Sequence, residues 1–159
     1  MEDSVTALHR DEIEAHLARI MIAACGDAEA GAQLEDLEDG VEGTIQITGF
    51  GGGHPTAMVS ERLSLPEMEA TTLHEAGHWM QGHLVGLPQD GNYQGAVIAD
   101  LANRTATRGP WEQEADSRAL KLLADDTVRS TIETAPEELE RLLIEDARKY
   151  GPFEATSRQ

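Results

Sequence analysis

The chain is short of cysteine, aromatic residues, lysine and long apolar runs, and each shortage excludes something. Cys25 is the only cysteine in 159 residues, so no intrachain disulfide can form and a disulfide-stapled secreted fold is excluded. Two Trp, two Tyr and two Phe leave the core to Leu, Ile, Val, Met and Ala, which suits packed helices better than a β-sandwich. Lys and Arg number 12 against 30 Asp and Glu, for a formal net charge of -18, and Lys121 and Lys149 are the only lysines. Such a surface repels nucleic acid phosphates and anionic lipid headgroups, so neither nucleic acid nor membrane is expected as a direct partner. No apolar run approaches the length of a membrane span, and the opening MEDSVTALHRDEIEAHL is acidic where a secretory signal would be basic. A soluble, cytoplasmic protein is expected. The length suffices for one domain with its own core and not for two, so a single domain over residues 1–159 is expected.

What is present begins with a helical period. Leu8, Ile13, Leu17, Ile20, Met21 and Ala24 line one face between Ser4 and Cys25, and Gly26 ends the helix. Residues 27–43, rich in Ala, Gly and acid, read as a loop, with a short turn around AQLEDLEDG. The period then changes to two. TIQITGF (Thr44 to Phe50) and TAMVSERLS (Thr56 to Ser64) alternate as strands, and GGGHP joins them as a hairpin connection. GFGGGH lacks the Lys-Ser/Thr ending of a phosphate-binding loop and reads as the hairpin tip.

Ser64 and Glu67 form a capping-box pattern around Pro66, so a helix should run from Leu65 to about Val85 and stop at Gly86. Between 86 and 109, GAVIADLANR suggests a short helix among breakers. Pro110 opens a helix to about Asp125. Thr134, Pro136 and Glu137 start the last one, with Leu139, Leu142, Leu143 and Ala147 inward and Gly151 as its stop.

The chemistry lies in EATTLHEAGHWMQGH, residues 69–83, where His74, Glu75 and His78 spell H-E-x-x-H. Residues four apart on a helix share a side, so both imidazoles can point at one metal ion while Glu75, beside them, takes a proton from water. A catalytic zinc site wants three protein ligands and one open position. PWEQEADSRALKLL, residues 110–123, offers Glu112 as the third ligand. Asp116, four residues on, can accept a hydrogen bond from a ligand histidine. Ala115 and Ala119 let this helix approach another closely. His9 and His16, seven apart on the first helix, fit the flank of that helix and not a metal site.

HEAGH followed by EQEAD resembles the gluzincin clan of zinc metallopeptidases, whose short cytoplasmic members, the minigluzincins and the ImmA/IrrE-like peptidases, resemble this chain also in having strands before the active-site helix. The likeness is tight at the two motifs and loose over residues 44–124. It implies an α+β, zincin-like fold, with a small antiparallel sheet packed against a helical core that holds the H-E-x-x-H helix. It also implies one zinc ion per chain on His74, His78 and Glu112, Glu75 as general base, and Asp116 as the group that orients a ligand. HEAGHWMQGH departs from the metzincin pattern by having Gln81 and Leu84 where Gly and His are needed, so His83 is not expected as a ligand. TTLHEAGHW is also similar to the FtsH-type peptidases, whose third ligand is an Asp on a later helix, which here would be Asp116. Tyr93, His54 and His83 are the candidates for stabilising the oxyanion.

The function these residues suggest is a zinc metallopeptidase acting on a peptide or protein substrate held along the small sheet. The competing reading is a non-catalytic acidic binding module, such as a mimic of DNA charge. Against it, the acids are spread over every segment, and a purely structural zinc site has no use for Glu75.

Overall fold

The computed structural model describes residues 2–37, 40–48, 54–81 and 108–153. Within them the fold is α+β, with five helices and a three-stranded sheet: α1 (Glu2–Cys25), β1 (Gly31–Glu35), β2 (Gly43–Thr48), β3 (His54–Ser60), α2 (Leu65–Met80), α3 (Arg108–Leu123), α4 (Asp126–Arg129) and α5 (Pro136–Arg148). The short helix expected in GAVIADLANR, the residues beyond Gln81 expected to extend α2, and the hairpin tip at 49–53 lie outside the described residues.

Helix α1 follows its apolar period. Leu17, Ile20 and Met21 are fully buried, and Ile13 packs against the same cluster; the side chain of Leu8 lies outside those described. The helix stops where a residue without Cβ can turn left-handed: Gly26 has φ +65 and its N–H donates to the Ile22 carbonyl at 2.9 Å. His16, expected on the flank of this helix, is buried. It occupies the i+3 position of the stripe that starts at Ile13.

The sheet differs from expectation in one strand and one direction. β2 and β3 pair antiparallel, Gly43 with Val59 through Thr48 with His54. β1, expected as loop, pairs parallel to β3, Gly31 with Thr56 through Glu35 with Ser60, so the sheet is mixed, in the order β1-β3-β2. GAQLE does alternate, Ala32 and Leu34 being buried. Its outer edge is satisfied by side chains of α1: the Leu34 N–H donates to Glu14 Oε2 at 2.7 Å, and Arg10 donates to the Leu34 carbonyl.

Helix α2 starts as expected. Ser64 Oγ accepts from the Glu67 N–H, and Glu67 Oε1 accepts from the Ser64 N–H at 3.1 Å. Every residue from Met68 to His78 is buried, because α1, α3, α5 and both strands of the hairpin pack around this one helix. A helix covered on all sides must pair its polar groups internally. Glu69, fully buried, does so by accepting from His16 Nε2 at 2.5 Å, from the Glu133 N–H at 2.9 Å and from the Thr134 N–H at 3.0 Å. It thereby ties α1 to the segment that enters α5, whose N-cap Ala135 supplies no side-chain cap. Glu69→Ala should therefore destabilise the fold by about 3 kcal/mol, since the buried His16 ring and two part-buried backbone N–H groups lose their common acceptor. Urea unfolding of the variant measures it, and a loss under about 1 kcal/mol would contradict the assignment.

Candidate metal centre

Helices α2 and α3 cross where each has almost no side chain. A Cβ placed on Gly77 would lie 2.2 Å from the Ala115 carbonyl oxygen, so the glycine inside H-E-A-G-H is what lets the two backbones touch. On one side of that crossing α2 presents His74 and His78, ring centroids 4.7 Å apart and edge to face. On the other, α3 presents Glu112 and Asp116.

The four side chains meet. Glu112 Oε1 is 2.6 Å from His78 Nε2, and Glu112 Oε2 is 3.3 Å from His74 Nε2. The other nitrogen of His74, Nδ1, is 2.6 Å from Asp116 Oδ1. Two imidazoles and a carboxylate converging in this way can be joined by protons or by one cation. The donor atoms of His74, His78 and Glu112 all lie within 4.8 Å of one another, so this group could hold a metal ion, with Asp116 beside it. The donor set fits: two imidazole nitrogens and a carboxylate oxygen suit zinc, and an N–H held on the far side of a ligand histidine fixes its tautomer.

The electrostatics follow from burial and crowding. Burial acts to raise the Glu112 carboxyl, but hydrogen bonds from His74 and His78 outweigh it and hold the group well below the usual range. Burial acts to lower His74, and the charge and hydrogen bond of Asp116 overcome it, leaving the ring well above its ordinary value. Glu75 is pushed up to about 8, first by burial and then by the charges of Glu112, Asp146 and Asp116. Asp116 is likewise raised to about 8, by burial first and with the Asp146 carboxyl adding to it, while His74 pulls the other way.

A pocket of about 310 Å³ opens onto the cluster. Its walls include Gly43, Thr44 and Ile45 of β2, Leu142 and Asp146 of α5, and Lys149. Gly43 is small for a reason: a Cβ there would come within 2.5 Å of Thr71 Cγ2 and 3.2 Å of Glu75 Oε2.

Of the residues singled out in the sequence, His74, Glu75, His78, Glu112 and Asp116 are brought together. His54 is not. Its ring lies 2.9 Å from Asp27 Oδ2 and 2.7 Å from Glu29 Oε2, and it is not among the residues that line the pocket. Tyr93 and His83 lie outside the described residues. Asp146 went unnoticed, although a signal was present. It stands at i+7 of the inward stripe Leu139, Leu142, Leu143, where an acid calls for a buried partner. Gly77 carried a signal as well, since a mid-helix glycine costs about 1 kcal/mol against Ala and calls for a packing reason. No protein-family model, no curated protein and no solved structure matches this chain.

Proposed function

We propose that this chain is a zinc-dependent metallopeptidase of zincin-like build, a single cytoplasmic domain in which His74, His78 and Glu112 hold one zinc ion. The observation that carries the reading is the meeting of Glu112 with the Nε2 atoms of both histidines, at 2.6 and 3.3 Å, with Glu75 buried beside them in the same pocket. When bound, zinc would polarise the scissile carbonyl and make water a stronger acid. Glu75 takes the proton from water and passes it to the leaving amine. A base does this best with a pKa close to the working pH, and burial gives the Glu75 carboxyl that character, at about 8. Asp116 holds His74 by its Nδ1–H and so keeps Nε2 turned toward Glu112.

The pocket also supports a peptide substrate. β2 is an outer strand among the described residues and lines the pocket from Gly43 to Ile45. An extended peptide can add to such an edge through its main chain, which would lay a scissile bond beside Glu75. The FtsH-like alternative, with Asp116 as third ligand, is disfavoured because Asp116 faces Nδ1 while Glu112 faces Nε2 of both rings.

Two measurements test the reading. Elemental analysis of the purified protein should find about one zinc per chain; a content below about a tenth of that, with no uptake from added zinc, would leave the non-catalytic acidic module as the better account. Glu75→Gln should retain zinc and fold yet lose peptide hydrolysis by a factor of about 100 or more, because the amide keeps the shape and cannot accept the proton. Cleavage by this variant at the native rate would require another base.

A further inference from the structure

The Nδ1 side of His74 carries more carboxyl groups than the orientation of one imidazole requires. An Nδ1–H supplies a single proton, and Asp116 Oδ1 at 2.6 Å takes it. Asp146 Oδ2 nevertheless stands 3.5 Å from the same nitrogen. The second oxygen of Asp116 is buried and has no hydrogen-bond partner. Asp146 arrives there because α5 packs by Leu139, Leu143 and Ala147, all buried, which turns the i+7 position of that face toward α2 and α3. Its other oxygen, Oδ1, lies 3.5 Å from Lys149 Nζ, and the same ammonium reaches across to Glu42 Oε1 at 3.4 Å, on the segment that leads into β2.

We infer that Asp146 is a positioning residue that acts on the metal centre through His74 and Asp116, and that Lys149 sets the strength of that action. The inference rests on the reading that His74, His78 and Glu112 hold the ion. A carboxylate behind the imidazole makes Nε2 a better electron donor and attracts the cation in front of it, through a medium that screens less than water. It also confines the His74 ring from a second helix, so that α5, and not α3 alone, fixes the ligand. Lys149 stands against Asp146 and offsets part of this charge. Two carboxyl groups and one ammonium on the same wall thus form a graded polar support, and the parts of Asp146 and Lys149 in it can be separated by substitution.

The test is zinc affinity, measured on the full chain by competition with a chromophoric chelator, for the wild type, Asp146→Asn and Lys149→Met. Asp146→Asn should weaken binding by about tenfold, the lower end of the range for partners of ligand histidines. Lys149→Met, at a side chain 56% exposed, should leave the core undisturbed and tighten binding by a few fold. In the cobalt-substituted protein, Asp146→Asn should shift the visible absorption bands as the donor strength of His74 falls, a change that a residue serving only to anchor α5 would not produce. Weaker binding in both variants would overturn the inference and make the pair a simple fastening of α5. Unchanged affinity and spectrum in Asp146→Asn would overturn it as well. A wild-type chain that takes up no zinc would instead remove the metal reading itself, and the inference with it.

Discussion

Gly77→Ala is expected to cost the protein both stability and its metal centre. In most exposed helices this substitution stabilises by about 1 kcal/mol, because alanine has the better helix propensity. Here the added methyl would lie 2.2 Å from the Ala115 oxygen, 2.9 Å from its carbonyl carbon and 3.1 Å from its Cα. All three are backbone atoms of a helix and cannot swing aside. The crossing must open by about 1 Å, and forced separations of packed elements typically cost 1–3 kcal/mol or somewhat more. We expect a net destabilisation of about 3 kcal/mol. The opening also moves Glu112 and Asp116 away from His74 and His78, since the two pairs sit on the two helices that meet at this point, and zinc affinity should fall by at least about tenfold. Thermal unfolding with and without a chelator, together with a zinc titration, measures both. A variant that melts higher than wild type and binds zinc equally well would show that the helices do not meet as described.

The second large effect separates ligand from support. Glu112→Ala should abolish zinc binding, because Glu112 is the carboxylate that reaches Nε2 of both His74 and His78. Asp116→Ala should leave the site able to bind, at an affinity lower by about 10 to 100 fold, as expected when a ligand histidine loses the acceptor on its far nitrogen. Glu114, exposed on the same helix two residues from each, serves as the control and should change little on replacement by Ala. If Asp116→Ala bound nothing and Glu112→Ala bound normally, the assignment would reverse, and the chain would be read as FtsH-like.

The helices that carry the site were legible in the sequence because their causes are local. The capping box of Ser64 and Glu67, the stop at Gly26 and the four-residue spacing of His74 and His78 involve groups within a turn or two of one another. The same holds for Glu112 and Asp116, whose shared face follows from helical geometry alone. β1 was missed for a non-local reason. GAQLE is short and acid-flanked, and it becomes a strand only because β3 supplies its partner some 25 residues on and α1 supplies side chains to its free edge. The N-terminal part of α5 was legible from its proline, but the device that satisfies it was not, since the acceptor for the Thr134 N–H is Glu69, at a separation of 65 residues.

By itself, then, the sequence determined that two histidines and a glutamate share one helix, that two more carboxylates share another, and that the chain mixes helices with a short hairpin. Hydrogen bonding and periodicity within each segment decide these. Only the tertiary structure decided that Glu112 meets the Nε2 atoms while Asp116 meets Nδ1, contacts that span 34 to 42 residues. It also decided that His54 turns away to Asp27 and Glu29, and that α5 brings Asp146 behind His74. Such pairings depend on the distance and rotation at which helices pack. That geometry is set by the summed fit of many side chains and by single close approaches such as Gly77 on Ala115, which no local pattern encodes.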